Sequence, residues 1–105
     1  MAYPIIDTHA HAYDRRFSDE VLAMKERAKA AGVCAVCLPN VDEESLEPLL
    51  SLHQSDPLFF PAMLGLHPCS VGSNPQEQLE QLWRSAKDKA PWIAVGEIGL
   101  DLYWD

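Results

Sequence analysis

The chain has 105 residues, 48% of them hydrophobic and 23% charged, and a formal net charge of −8, which suits one ordinary globular domain with a real core. The acidic balance weighs against a module that grips nucleic acid through clustered Lys and Arg more than against an enzyme that brings metal ions to a phosphodiester. No apolar run approaches the roughly 20 residues needed to cross a bilayer, and no basic segment precedes an apolar one at the N-terminus, so the expected location is cytoplasmic, with no membrane partner.

The first strand is expected to end at Ile5-Ile6, and Asp7-Thr8-His9-Ala10-His11 follow it directly. Side chains alternate faces in an extended backbone, so Asp7, His9 and His11 are expected to point the same way. Two imidazoles so placed can bind one metal ion, provided other strands supply the remaining ligands. Asp7 lies behind them, where a carboxylate can hold a ligand imidazole in its metal-binding tautomer. Residues 12–17 read as a polar loop carrying Asp14, Arg15 and Arg16. Ser18 is then placed as an N-cap, with Asp19 and Glu20 in the first turn of a helix. Val21, Leu22, Ala28 and Ala31 form its expected buried stripe, and Gly32 its end.

Val33 to Leu38 read as a second strand closed by Pro39-Asn40. Three cysteines, an odd number, argue against a disulfide framework. Cys34 and Cys37, three apart on that strand, face opposite sides and cannot readily chelate one ion, while Cys69 reads as a loop thiol. A second helix places Leu46, Leu49, Leu50 and His53 at helical spacing. Pro48 is tolerated there if Ser45 is the N-cap, because the missing amide then belongs to the unsatisfied first turn. His53 is expected at the surface, and Asp56-Pro57 breaks the helix.

A third strand runs from Leu58 to Leu66 and ends at Gly65-Leu66-His67-Pro68. The third helix has Asn74 as N-cap, Pro75 at its first position and Glu77 within reach of the cap. Leu79, Leu82, Trp83 and Ala86 are expected to line one face of it. Trp92-Ile93-Ala94-Val95 form a fourth strand, followed by Gly96-Glu97-Ile98-Gly99-Leu100-Asp101.

Strands thus begin near residues 4, 33, 58 and 92, the spacing of βα units that build a parallel sheet with right-handed crossovers. Apolar residues on both faces of these strands imply a sheet covered on both sides. Eight such units would take about 240 residues, close to the ~250 typical of a (β/α)8 TIM barrel. The fold class is therefore α/β, with residues 1–105 forming one unit, the N-terminal half of a barrel with its first four strands and three helices. Asp7, His9 and His11 follow the first strand, Asn40 the second, His67 the third and Glu97 the fourth. All fall at C-terminal strand ends, the face on which barrel active sites are built. A half barrel leaves its first and fourth strands without neighbours on one side, and such edges invite self-association.

The segments Ile5-Ile6-Asp7-Thr8-His9-Ala10-His11, Gly65-Leu66-His67-Pro68 and Gly96-Glu97-Ile98-Gly99-Leu100-Asp101, the last running on to Tyr103-Trp104-Asp105, resemble the TatD family of metal-dependent deoxyribonucleases in order and spacing. The resemblance implies a (β/α)8 barrel with divalent metal ions (Zn, Mg or Mn), usually two. His9 and His11 would ligate one ion, Glu97 would bridge both, and His67 would sit beside the site facing substrate phosphate or a ligand. DNA is implied as substrate, not as a tight binding partner, and Arg15 and Arg16 are placed to help hold phosphate. Family members draw two further histidines and an aspartate from later strands. No general base is therefore assigned, and the 105-residue chain alone is expected to be inactive. An H-x-H after the first strand also resembles amidohydrolase-type barrels acting on C–N or C–O bonds. A Glu, not a carbamylated Lys, after the fourth strand favours the TatD reading. The other alternative is a non-catalytic fragment that binds metal weakly or only associates with partners.

Overall fold

The computed structural model describes residues 3–103; Trp104 and Asp105, at the end of the third motif, lie outside them. Strands and helices alternate as the spacing predicts. β1 (Ile5–Asp7) leads through a 3-10 turn (Arg15–Phe17) to α1 (Val21–Ala30), and β2 (Val33–Val36) and β3 (Leu38–Pro39) lead to α2 (Leu46–Ser55). β4 (Ala62–Leu64), a second 3-10 turn (Pro68–Ser70), α3 (Pro75–Ala86) and β5 (Ala94–Val95) complete the order. All strand pairs are parallel: β1 with β2, β3 with β4, and β4 with β5.

The second predicted strand is divided between two ladders, yet it runs as one path. Val36 and Leu38 donate their amides to the carbonyls of Phe59 and Pro61, at 2.7 and 2.9 Å, while Cys37 between them donates to Asp7 at 2.8 Å. Alternate amides facing opposite neighbours are what a central strand does, so residues 33–39 join β1 on one side to β4 on the other. Cys34 is exposed and Cys37 buried, on opposite faces, and burial pushes the Cys37 thiol pKa up.

The core lies between this path, β4 and α2. Leu38, Leu49 and Ala62 are fully buried, with Phe59 and Phe60 nearly so, and each large side chain so buried contributes about 1.5–3 kcal/mol. The expectation of cover on both faces holds for β3 and β4 but not at the edges. Ile5, Ile6 and Val95 are 51%, 57% and 70% exposed, because β1 and β5 each have a strand neighbour on one side only among the described residues.

Several helix expectations need correction. α1 begins at Val21, not after Ser18; Ser18 closes the preceding 3-10 turn, its hydroxyl donating to the Arg15 carbonyl at 2.8 Å. No residue of α1 is fully buried, and Leu22 is exposed, because only Val21 and Ala28 of the expected stripe reach the core. Gly32 ends that helix with φ +98°, a conformation that suits glycine.

In α2, Ser45 is the N-cap and Pro48 falls in the first turn, where its missing amide costs no helical bond. His53 is buried, not at the surface, and lies 2.7 Å through Nδ1 from the Phe60 carbonyl. A carbonyl only accepts, so Nδ1 carries the proton and the ring is satisfied inside the core. In α3, the Asn74 side chain accepts from the Glu77 amide at 3.2 Å and donates to its carboxylate at 3.1 Å. Leu82 and Ala86 are buried, but Leu79 and Trp83 are not. They open instead onto an apolar groove of about 810 Å³ shared with Val95 and Ile98. Asp56 joins α1 to the core rim, 2.8 Å from Lys25 Nζ, and the Lys25 hydrogen bond holds its carboxyl below the usual range. Among the described residues no helix is long and apolar enough to cross a membrane.

Candidate metal centre

The three sequence motifs converge at the carboxyl ends of the strands. At the end of β1, the Asp7 carboxylate accepts from the His9 amide at 3.0 Å, and Ala10 donates its amide to the Cys37 carbonyl at 3.1 Å. The segment therefore stays pinned alongside the second strand while two imidazoles project from it. The carboxylate contact of Asp7 is thus with the His9 backbone, shaping the turn, and not with an imidazole ring.

Glu97, beyond β5, stands among three imidazoles. Its Oε2 lies 3.3 Å from His9 Nε2 and 3.1 Å from His11 Nε2, and its Oε1 lies 3.2 Å from His67 Nε2. The His9 and His11 rings meet edge to face, with centroids 5.2 Å apart. Each of His9, His11 and Glu97 offers one donor atom to a common position, with those atoms all within 4.8 Å of one another. A tetrahedral ion about 2.0–2.1 Å from its ligands sets them roughly 3.3–3.4 Å apart, close to the imidazole–carboxylate separations of His9 and His11 from Glu97. The donor set of two imidazoles and a carboxylate also suits zinc or a similar divalent ion.

His67 differs from the other two. Its Nδ1 accepts from the Cys69 amide at 2.9 Å, so in the neutral ring Nε2 carries the proton and points it at Glu97. No lone pair is left for a metal in that tautomer. Cys69 in turn lies 3.0 Å through Sγ from Asp101 Oδ2, and this contact, ahead of the Tyr103 amide, holds the Asp101 carboxyl below its usual range.

One residue of the site had no reading in the sequence, and the contacts of a second were not foreseen. Tyr13, within the predicted polar loop, donates its hydroxyl to the Pro39 carbonyl and sets its ring edge-on to His11, centroids 5.9 Å apart. Burial pushes its pKa up to about 12, so it is a neutral donor at physiological pH. The only hint was its place two residues after His11, on the same alternation. Asn40, expected at a strand end on the active face, is fully buried and hydrogen-bonded to the turn that carries Glu97. Beside these lies an open cleft of about 960 Å³ lined by His11, Tyr13, Arg15, Ser45 and His67. Arg16 is held by both oxygens of Asp14, at 3.2 and 3.3 Å, whereas among the described residues no carboxylate pairs with Arg15.

Parallel βα units with imidazole and carboxylate donors gathered at their strand ends define half of a (β/α)8 barrel with a candidate metal centre. The chain belongs to the TatD family: the family described as TatD related DNase matches residues 6–105. It is 39% identical to the uncharacterized metal-dependent hydrolase YjjV of Escherichia coli, covering 100% of this chain and 40% of that protein. It is 28% identical to the uncharacterized metal-dependent hydrolase YabD of Bacillus subtilis, covering 96% of this chain and 39% of that one. The crystal structure of the TatD homologue YjjV superposes with a TM-score of 0.74 at 36% identity, over 94% of this chain and 38% of that chain. A TatD family hydrolase from Entamoeba histolytica matches with a TM-score of 0.73 at 19% identity, over 96% and 39% of the two chains, a likeness of fold. The chain spans about 40% of the length of the curated relatives it matches.

Proposed function

We propose that the chain carries the N-terminal part of the metal centre of a cytoplasmic phosphodiester hydrolase whose substrate is DNA. The observation that supports this reading most is the convergence of His9, His11 and Glu97 on one position, in a family described by its DNase activity. Divalent ions held by His9, His11 and Glu97 would supply a bound water of pKa about 7 and polarise the phosphoryl oxygen. To ligate, His9 and His11 take the Nδ1–H tautomer, which frees the Nε2 lone pairs that face Glu97. Glu97, with one oxygen turned to His9 and His11 and the other to His67, would be the carboxylate shared between two ions. His67, whose Nε2 proton faces Glu97 Oε1 at 3.2 Å, would exchange that acceptor for a phosphate oxygen when substrate binds. Arg15, with no carboxylate against it among the described residues, lends positive charge at the rim of the cleft. Three protein donors support one weakly held ion, and two-metal chemistry needs a second ion fixed roughly 3.5–4 Å from the first.

The test is a substrate comparison. A chain extended to the length of its relatives is expected to cleave DNA with added Mg²⁺ or Mn²⁺ and to stop with chelator, while residues 1–105 alone show negligible turnover. A preference for amide or lactone substrates would sink the phosphodiester reading in favour of amidohydrolase chemistry. Robust chelator-sensitive cleavage by residues 1–105 would overturn the half-site account.

The exposed apolar residues of β1 and β5 support a second expectation, that the 105-residue chain self-associates through these edges. Sedimentation velocity should find dimers or larger species, and a single monomeric boundary at all concentrations would refute it.

A further inference from the structure

We infer that Asn40 is the positioning residue of this centre, the buried joint that sets Glu97 among the imidazoles; this rests on the metal-site reading above. Asn40 and His53 are the two buried polar side chains among the described residues, and His53 is spent on the Phe60 carbonyl. Asn40 uses every polar group it has. Its Nδ2 donates to the Gly65 carbonyl at 2.7 Å, and its Oδ1 accepts from the Ser45 hydroxyl at 2.7 Å. Its backbone amide donates to the Gly96 carbonyl at 3.1 Å, and its carbonyl accepts from the Glu97 amide at 2.9 Å.

The last two bonds take up both the carbonyl and the amide of the one peptide that leads into Glu97. The next residue, Val41, accepts from the His67 amide at 2.8 Å, so one dipeptide holds the backbones of Glu97 and His67 together. The side chain in turn fixes that dipeptide. Its amide anchors to Gly65 on β4's exit, and Ser45 anchors it to the start of α2. A leucine would fill similar volume but would leave the buried Gly65 carbonyl without its donor and the joint free to rotate. A buried amide satisfied at both ends is directional where an apolar side chain is not. That direction is what a carboxylate shared by three imidazoles requires.

The experiment compares Asn40→Ala with the parent and with Val36→Ala, a core truncation away from the joint, all as the 105-residue chain. Circular dichroism at low temperature establishes folding. Two readouts follow: Mn²⁺ affinity by calorimetry, and metal-free NOEs between the Glu97 side chain and the His11 and His67 rings. Asn40→Ala is expected to lose the NOEs and to bind Mn²⁺ about ten- to a hundredfold more weakly, the range for residues that orient ligands. Val36→Ala should keep the NOEs and stay within about twofold of the parent affinity. Retained NOEs and parent-like affinity in folded Asn40→Ala would overturn the inference, as would equal losses in Val36→Ala. If Asn40→Ala does not fold, Ser45→Ala decides, since it removes the hydroxyl that donates to Oδ1 and accepts from the Val41 and Asp42 amides. Weakened NOEs in that variant support the joint, and parent-like ones overturn it. Should the parent bind no Mn²⁺, the metal reading fails on that result alone, and the NOEs still decide the role of Asn40.

Discussion

The Gly65→Ala variant is expected to melt well below the parent and to lose divalent-ion binding together with its stability. A Cβ at this position would lie 2.6 Å from the Gly96 carbonyl carbon, 2.8 Å from its oxygen and 2.9 Å from the Glu97 nitrogen. All three are backbone atoms, so no side chain can swing aside to make room. Either the turn carrying Glu97 retreats, or the pairing of Leu64 with Val95 and the 3.0 Å bond from the Gly96 amide to the Leu64 carbonyl give way. Overpacking of this kind costs about 1–3 kcal/mol and occasionally more, a large share of the roughly 5–15 kcal/mol that holds a domain folded. Gly72→Ala is the matched control. Its added methyl would meet nothing closer than the Gln78 side chain at 3.5 Å, ordinary contact, so its melting temperature and Mn²⁺ affinity should match the parent. A Gly65→Ala protein with parental melting and parental ion affinity would show that the close approach of β4 to the Glu97 turn does not matter.

Replacing His9 and His11 together with Ala is expected to abolish measurable binding of Zn²⁺ or Mn²⁺ while leaving the fold intact. Both side chains are well exposed, 49% and 35%, and neither belongs to the core, so their removal deletes donors and little packing. Residues that merely orient ligands are worth about ten- to a hundredfold in affinity. Losing two of three donors should therefore exceed about a hundredfold. His67→Ala separates donor from neighbour. Because its Nδ1 is engaged by the Cys69 amide, His67 holds no lone pair towards Glu97, and its loss should weaken binding far less than the double substitution. Calorimetric titration of the three proteins at equal concentration gives the comparison. Undiminished affinity in the double variant would remove these histidines from the site.

Much of the architecture is local, and local sequence carries it. Asn74, Pro75 and Glu77 start α3 because cap, fixed φ and reaching side chain sit within a single turn. Gly32 stops α1 because only its own backbone must turn. The alternation of βα units, and the placing of Asp7, His9, His11, Asn40, His67 and Glu97 at strand ends, likewise follow from contiguous residues. What those residues face is another matter. Ser18 serves a 3-10 turn in place of a helix cap because the preceding Arg15 carbonyl is the acceptor it reaches. His53 is buried because a carbonyl from the segment after its helix takes its proton. Leu79, Trp83, Ile5 and Val95 remain exposed because burial depends on neighbours that hydrophobic periodicity does not count. The site shows the same division. The H-x-H motif can be read along one strand, but Glu97 follows His11 by 86 positions, and only packing of β5 beside β4 brings its carboxylate to the imidazoles. Asn40 announces itself in sequence as a polar residue closing a strand; its hold on the Glu97 turn exists only where strands distant in the chain lie side by side, since hydrogen-bond direction is set by the relative placement of whole segments.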